Sequence, residues 1–165
     1  MNISARAILT VIWGALIVAA FAAPLLLSCH FPTAAFFTYL PFSFACHQMP
    51  ERSFTLMHHP LAVCHRCFGI YLGFFLGTLL SSFLLRIPRR LWRVCALSAA
   101  ALPALDALLP FTGIWNGAWP DRFMTGLVFG VAAAPFAVIG LDEILKTLSR
   151  QRRTVSLPLK GVLNE

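Results

Sequence analysis

Between Cys46 and Gly73 the chain reads CHQMPERSFTLMHHPLAVCHRCFGIYLG, which gathers three cysteines and four histidines into one short segment. Cys64 and Cys67 are an i, i+3 pair, so on a helix both lie on one face, and Tyr71 continues that face one turn on. Cys46 and His47 come from the preceding loop and can fold back onto the pair. Three chemistries fit these residue types. Thiolates from Cys46, Cys64 and Cys67 with one imidazole make a Cys₃His set, which suits zinc, and soft ligands of this kind also take copper(I). A CxxC pair at a helix N-terminus has a lowered thiol pKa, which suits thiol–disulfide exchange. The third chemistry is a structural disulfide that pins the loop. The ligand set expected for a metal is Cys46, His47, Cys64 and Cys67, with His58 or His59 as other sources of the fourth bond. Cys29 and Cys95 are read as packing cysteines, and His30 as an interfacial residue.

The elements that must position this cluster belong to a membrane protein. Of 165 residues 59% are hydrophobic and only 12% charged, whereas a soluble domain is roughly half apolar and a quarter charged. A bilayer core takes about 20 apolar residues as a helix. Four stretches meet or approach that length, at about 7–28, 61–85, 94–109 and 123–141. The third is the shortest, with Pro103 and Asp106 inside it, and the fourth contains Pro135. Residues 33–45 (TAAFFTYLPFSFA) are apolar but too short to span and are broken by Pro41, so an interfacial segment in the first outer loop is expected. The fold class is therefore all-α: one polytopic membrane domain over 1–165, a bundle of about four transmembrane helices, with a loose basic tail at 146–165.

The net charge of +7 comes from short polar gaps between apolar runs, which is the pattern of cytoplasmic loops beside anionic lipid and not of a nucleic-acid interface. The partner implied is the bilayer, and no nucleic acid. Arg86, Arg89, Arg90 and Arg93 fill one gap, and Lys146, Arg150, Arg152, Arg153 and Lys160 follow the last span. By the positive-inside rule both segments are cytoplasmic. That puts both termini inside, in a multi-pass topology in the inner membrane, with the loops at 29–60 and 110–122 outside. The Cys/His cluster then lies at the outer end of the second span. The first apolar run is longer than the 7–15 residues of a signal-peptide core, so it is expected to be a retained helix, despite Ala20-Phe21-Ala22 and the lipoprotein-like Leu26-Leu27-Ser28-Cys29.

Arg66 and Asp106 fall inside spans, where charge is costly unless paired. Together with Arg52, Tyr71 and Arg122 they are expected to form a polar pocket at the depth of the thiols, or else a set of ion pairs that anchor helix ends. Asp121, beside Pro120, is expected to cap the fourth helix. Gly69, Gly73 and Gly77 make a small-residue stripe opposite the thiol face, and Gly126 and Gly130 offer a match. Packing within the bundle is the first expectation and a homo-oligomer through the Gly69/Gly73/Gly77 face the second.

These residues also carry a resemblance. CHQMPERSF followed by LAVCHRCFGIYLG resembles the signature CHQ…ERSF…VCxRCxGIYxG of the bacterial membrane family called domain of unknown function 2085. The match takes in Cys46, His47, Gln48, Glu51, Arg52, Ser53 and Phe54, then Cys64, Arg66, Cys67, Gly69, Ile70, Tyr71 and Gly73. A second part of the pattern, an Asp, then a Gln, then RxxTG, is met by Asp106 and by Arg122 through Gly126, with Pro110 where the Gln is expected. The resemblance implies a small multi-span membrane protein and implies no reaction. The leading expectation is a metal-binding membrane protein, a binding site more than an active site. The alternatives are a thiol-disulfide oxidoreductase using Cys64 and Cys67, and an accessory or scaffold protein with a structural disulfide.

Overall fold

The computed structural model describes residues 3–108 and 118–162. The chain runs α1 (Ile3–Ser28), α2 (Pro32–Ser43), a 3₁₀ turn (Pro50–Arg52), β1 (Ser53–Leu56), β2 (His59–Cys64), α3 (His65–Leu84), α4 (Arg89–Leu108) and α5 (Trp119–Val162). It is a helical membrane protein with one small two-stranded sheet. Among the described residues three helices, α1, α3 and α5, are long and apolar enough to cross a bilayer. Helix α4 has the length, but Arg89, Arg90 and Arg93 occupy its first turns and leave a shorter apolar run. Large apolar side chains face outward, among them Val11 at 70% and Leu97 at 73% exposure. In water such faces would be unfavourable, whereas hydrocarbon accepts them at no cost.

Helix α1 is stopped by its C-terminal geometry. His30 takes a left-handed conformation (φ 62°), its N–H donates to Leu27 O and the N–H of Phe31 donates to Leu26 O. This is a Schellman motif with histidine where glycine is usual. Pro32 then opens α2, supplying the helical φ in advance and lacking only an N–H that would be unpaired there. Helix α2 occupies the segment expected to be interfacial and leaves Phe36 and Phe37 exposed.

The second span does not start at Leu61. Residues 59–64 form β2, paired antiparallel with β1 through Leu56↔His59, Thr55↔Pro60 and Ser53↔Cys64. Met57 and His58 bridge the strands with φ of 52° and 66°, the sign pattern of a type I′ turn, whose twist matches that of a hairpin. The apolar run Leu61-Ala62-Val63 is thus a buried strand, and helix begins at His65 with Cys64 as its cap residue. Short apolar runs cannot be assigned to strand or helix by periodicity alone.

Helix α5 begins at Trp119. Asp121 does not occupy the cap position: from the third helical position its carboxylate accepts the N–H of Ala118 at 3.2 Å, the reach-back half of a capping box. The expected loose tail is also helical, since α5 extends to Val162. An Asp142–Lys146 ion pair at i, i+4 (2.8 Å) supports its course beyond the apolar part. Leu109, Pro110 and the residues as far as 117 lie outside the described residues.

The bundle's closest contact is between α3 and α5. A Cβ at Gly69 or Gly73 would overlap the carbonyl oxygens of Phe123 or Leu127, one at Gly77 would overlap Ala134, and one at Gly126 or Gly130 would overlap Arg66 O or Ile70 O. Both glycine stripes are thus consumed inside one chain. Within the chain, the Gly69/Gly73/Gly77 face is covered by α5. On the other side of α3, Trp13 of α1 stacks on Phe74 (centroids 4.4 Å apart, planes at 12°), and the Thr10 hydroxyl bonds that of Thr78 at 3.1 Å.

Candidate metal centre

Three elements bring the thiols together. Cys46 follows α2 in a loop, Cys64 ends β2 as the cap of α3, and Cys67 lies in the first turn of that helix. The hairpin fixes Cys64 relative to the loop, because its pairing partner Ser53 in turn donates to Met49 O at 2.8 Å. Gln48 holds the other side. With φ 49° it turns its amide inward and donates to Tyr39 O and Ala62 O, each at 2.9 Å, clamping α2 to β2. The Tyr39 hydroxyl donates to Pro60 O across the same seam, and burial pushes the Tyr39 phenol above its usual pKa.

The ligand sulfurs of Cys46, Cys64 and Cys67 all lie within 4.8 Å of one another. All five cysteines are free thiols in the structure. Cys46 is 4% exposed and belongs to an apolar cluster with Ala20, Ala23, Phe42, Ala62 and Val63. Its sulfur nevertheless accepts the backbone N–H of Cys64 at 3.2 Å. Hydrogen bonds from the Cys64 and Cys67 side chains, reinforced by backbone donors and opposed by burial, hold the Cys46 thiol well below its usual pKa. Sulfur ligates metals or attacks disulfides as the thiolate, and the hydrogen bonds that converge on Cys46 favour that form there.

The other expected site residues are distributed around this centre. His47 is exposed and does not belong to the group of ligand atoms within 4.8 Å. His58 and His59 sit at the hairpin turn, also outside it. Arg66 and Asp106 form an ion pair: Arg66 Nε donates to an Asp106 carboxylate oxygen at 2.9 Å, and a guanidinium NH₂ reaches the same oxygen. Asp106 is buried and Arg66 keeps a quarter of its side chain exposed, so the pair ties α4 to the thiol end of α3. Tyr71 packs between Phe42 and Trp13 beside the cluster. Arg52 is exposed on the 3₁₀ turn, and Arg122 is half-buried in the first turn of α5. Cys29 and Cys95 are exposed and stand apart from the cluster.

Two features of the site have no signal in residue spacing. One is the Gln48 clamp, whose residue lies inside the CHQ motif but whose role depends on a left-handed backbone. The other is His65, 8% exposed and walled by the Phe54 ring at 4.4 Å and by Trp119.

The family described as a predicted membrane protein, domain of unknown function 2085, matches residues 46–136, from the first thiol into α5. An uncharacterized protein of Methanocaldococcus jannaschii is 36% identical over 97 residues, which cover 56% of this chain and 60% of that protein. An uncharacterized protein of Methanothermobacter thermautotrophicus is 34% identical over 108 residues, which cover 65% of this chain and 92% of that protein. Both are archaeal, so the likeness reaches beyond bacteria. No solved structure matches. With the match covering more than half its length and taking in all three clustered thiols, the chain belongs to the domain of unknown function 2085 family of membrane proteins.

Proposed function

We propose that this protein binds a thiophilic metal ion, zinc or another soft or borderline metal, through Cys46, Cys64 and Cys67. The observation that carries the reading is the approach of three sulfurs from three separate elements to within 4.8 Å of one another. Simple packing of cysteines does not need such convergence, and a tetrahedral ion with Zn–S bonds of about 2.3 Å fits it. Three thiolates leave a fourth position, and His47, exposed beside Cys46, is the candidate for it once its ring moves inward. The basic segments at 86–93 and 146–160 favour an orientation with both termini cytoplasmic in a multi-pass protein of the inner membrane. In that orientation the metal lies at the outer surface.

A second reading rests on the adjacency of three free thiols within 4.8 Å of one another. Cys64 and Cys67 are the half-buried thiols of the group and Cys46 is buried beside them, so any two of the three can close a disulfide. Two thiols then give up two electrons and two protons to a quinone or to a thioredoxin-like disulfide. In this reading Cys64 and Cys67 are the redox pair and Cys46 the third thiol that resolves it.

The test is elemental analysis of protein purified in detergent without chelator, together with a count of reactive thiols. The metal reading expects about one zinc or copper equivalent per chain, with three thiols protected until a chelator is added. Absence of metal together with a disulfide between clustered cysteines overturns it and supports the redox reading.

A further inference from the structure

At the end of α3 away from the thiols, a groove of about 660 Å³ opens between α3, α4 and α5. Its wall has two chemical halves. Leu84, Leu85, Ile87, Phe136 and Ile139 are apolar, and Trp92, Arg93, Asp142, Glu143 and Lys146 form a polar end. Helix α3 has 20 residues, the length that spans a bilayer core, so this groove lies at the headgroup level of the leaflet opposite the thiols. A cleft that passes from hydrocarbon-like to charged at that depth matches an amphiphile in both position and polarity.

The charges choose among amphiphiles. Asp142 is buried and engaged by Lys146 at 2.8 Å, which leaves Glu143 as the exposed acid. Arg86 and Arg90, exposed and close in the chain to the lining residues Leu85, Ile87 and Trp92, add to Arg93 and Lys146, so positive charge outweighs the two carboxylates at this mouth. Basic clefts between helices on the cytoplasmic side, where the orientation proposed above puts this one, take anionic headgroups. Trp92 adds a donor: its Nε1–H is buried without an acceptor among the described residues, and a small turn of the indole toward a phosphate oxygen would supply one.

We propose that this groove binds an anionic phospholipid. The phosphodiester lies against Arg93, Lys146 and the Trp92 indole, and an acyl chain follows Leu84, Leu85, Phe136 and Ile139. The site is remote from the thiols and does not depend on what they bind.

Native mass spectrometry and thermal unfolding of delipidated protein test it, with phosphatidylglycerol, phosphatidylcholine and free glycerol phosphate as probes. Phosphatidylglycerol is expected to stay bound and raise the unfolding temperature, more than phosphatidylcholine does, while glycerol phosphate alone has no effect. R93Q is expected to weaken phosphatidylglycerol binding roughly fivefold. W92F, which keeps an aromatic wall and removes the donor, is expected to weaken it roughly threefold. Equal binding of the two lipids overturns the proposal, and so does unchanged binding in W92F. A shift produced by glycerol phosphate alone shows an anion site with no lipid chain and overturns it as well. Should R93Q fail to fold, as read from an altered count of reactive thiols at the far end, W92F and the wild-type lipid comparison decide.

Discussion

The two ends of α3 are built in opposite ways. At the thiol end a loop, a hairpin and the start of a helix converge. The convergence is closed by side-chain bonds to backbone from Gln48, Tyr39 and Ser53 and by an apolar cluster sealed around Cys46. At the other end the last turn of α3 and the first turn of α4 meet the middle of α5, and they leave an open cleft with mixed lining. The first arrangement suits a ligand that demands fixed geometry, since ligating atoms held in advance need little reordering on binding. The second suits a ligand recognised by charge and by the shape of a chain. The glycine contact between α3 and α5 is what holds both ends in one frame.

Breaking that frame should have the largest effect. G73V places a side chain onto the backbone of α5 and is expected to cost more than the ~1–3 kcal/mol of ordinary overpacking, seen as loss of folded protein on size exclusion in detergent. G140A is the matched control. A Cβ there meets nothing within 4 Å, and alanine should leave stability unchanged or raise it by up to ~1 kcal/mol through helix propensity.

Next in size is the thiol end itself. C46A should lower metal retention in the elemental assay well below one equivalent, whereas C29A and C95A, outside the cluster, should retain the wild-type ratio. D106A leaves Arg66 without its partner. It should destabilise toward the low end of the ~3–5 kcal/mol expected for breaking a buried pair, because Arg66 remains 25% exposed. Thermal unfolding reads that effect, and D106N, which preserves one hydrogen bond, should recover part of it. The smallest effect at this end belongs to the clamp. Q48L deprives the Tyr39 and Ala62 carbonyls of their donor, at a cost of ~1–3 kcal/mol. It should weaken metal retention ~10–100-fold, the usual effect of losing a supporting residue behind the ligands. An unchanged metal affinity in Q48L would show that the two ends differ less in rigidity than their bonding indicates.

Much of this plan could be read from residue types. The membrane spans of α1, α3 and α5 follow from uncharged apolar length, and the pairing of Gly69/Gly73/Gly77 with Gly126/Gly130 follows from i+4 spacing. The convergence of Cys46 on Cys64 and Cys67 was expected from their clustering, although spacing alone gave His47 equal standing and the structure leaves it outside the sulfur group. The hairpin was not legible. Its turn residues, Met57 and His58, are not the Asn-Gly or Asp-Gly that announce a type I′ turn, and its second strand merges with the apolar run of α3. The long course of α5 was hidden because hydropathy ends before the helix does, and charged pairs such as Asp142–Lys146 carry it onward. The groove was hidden for another reason: its lining comes from three helices whose relative placement depends on the glycine contact.

The most direct test of the metal centre is X-ray absorption spectroscopy at the edge of whatever metal copurifies with the wild-type chain. Three sulfur scatterers at about 2.3 Å, falling to two in C46S, are the predicted result. A first shell made only of nitrogen and oxygen, or a sulfur count unmoved by C46S, would contradict the claim that Cys46, Cys64 and Cys67 form one metal site.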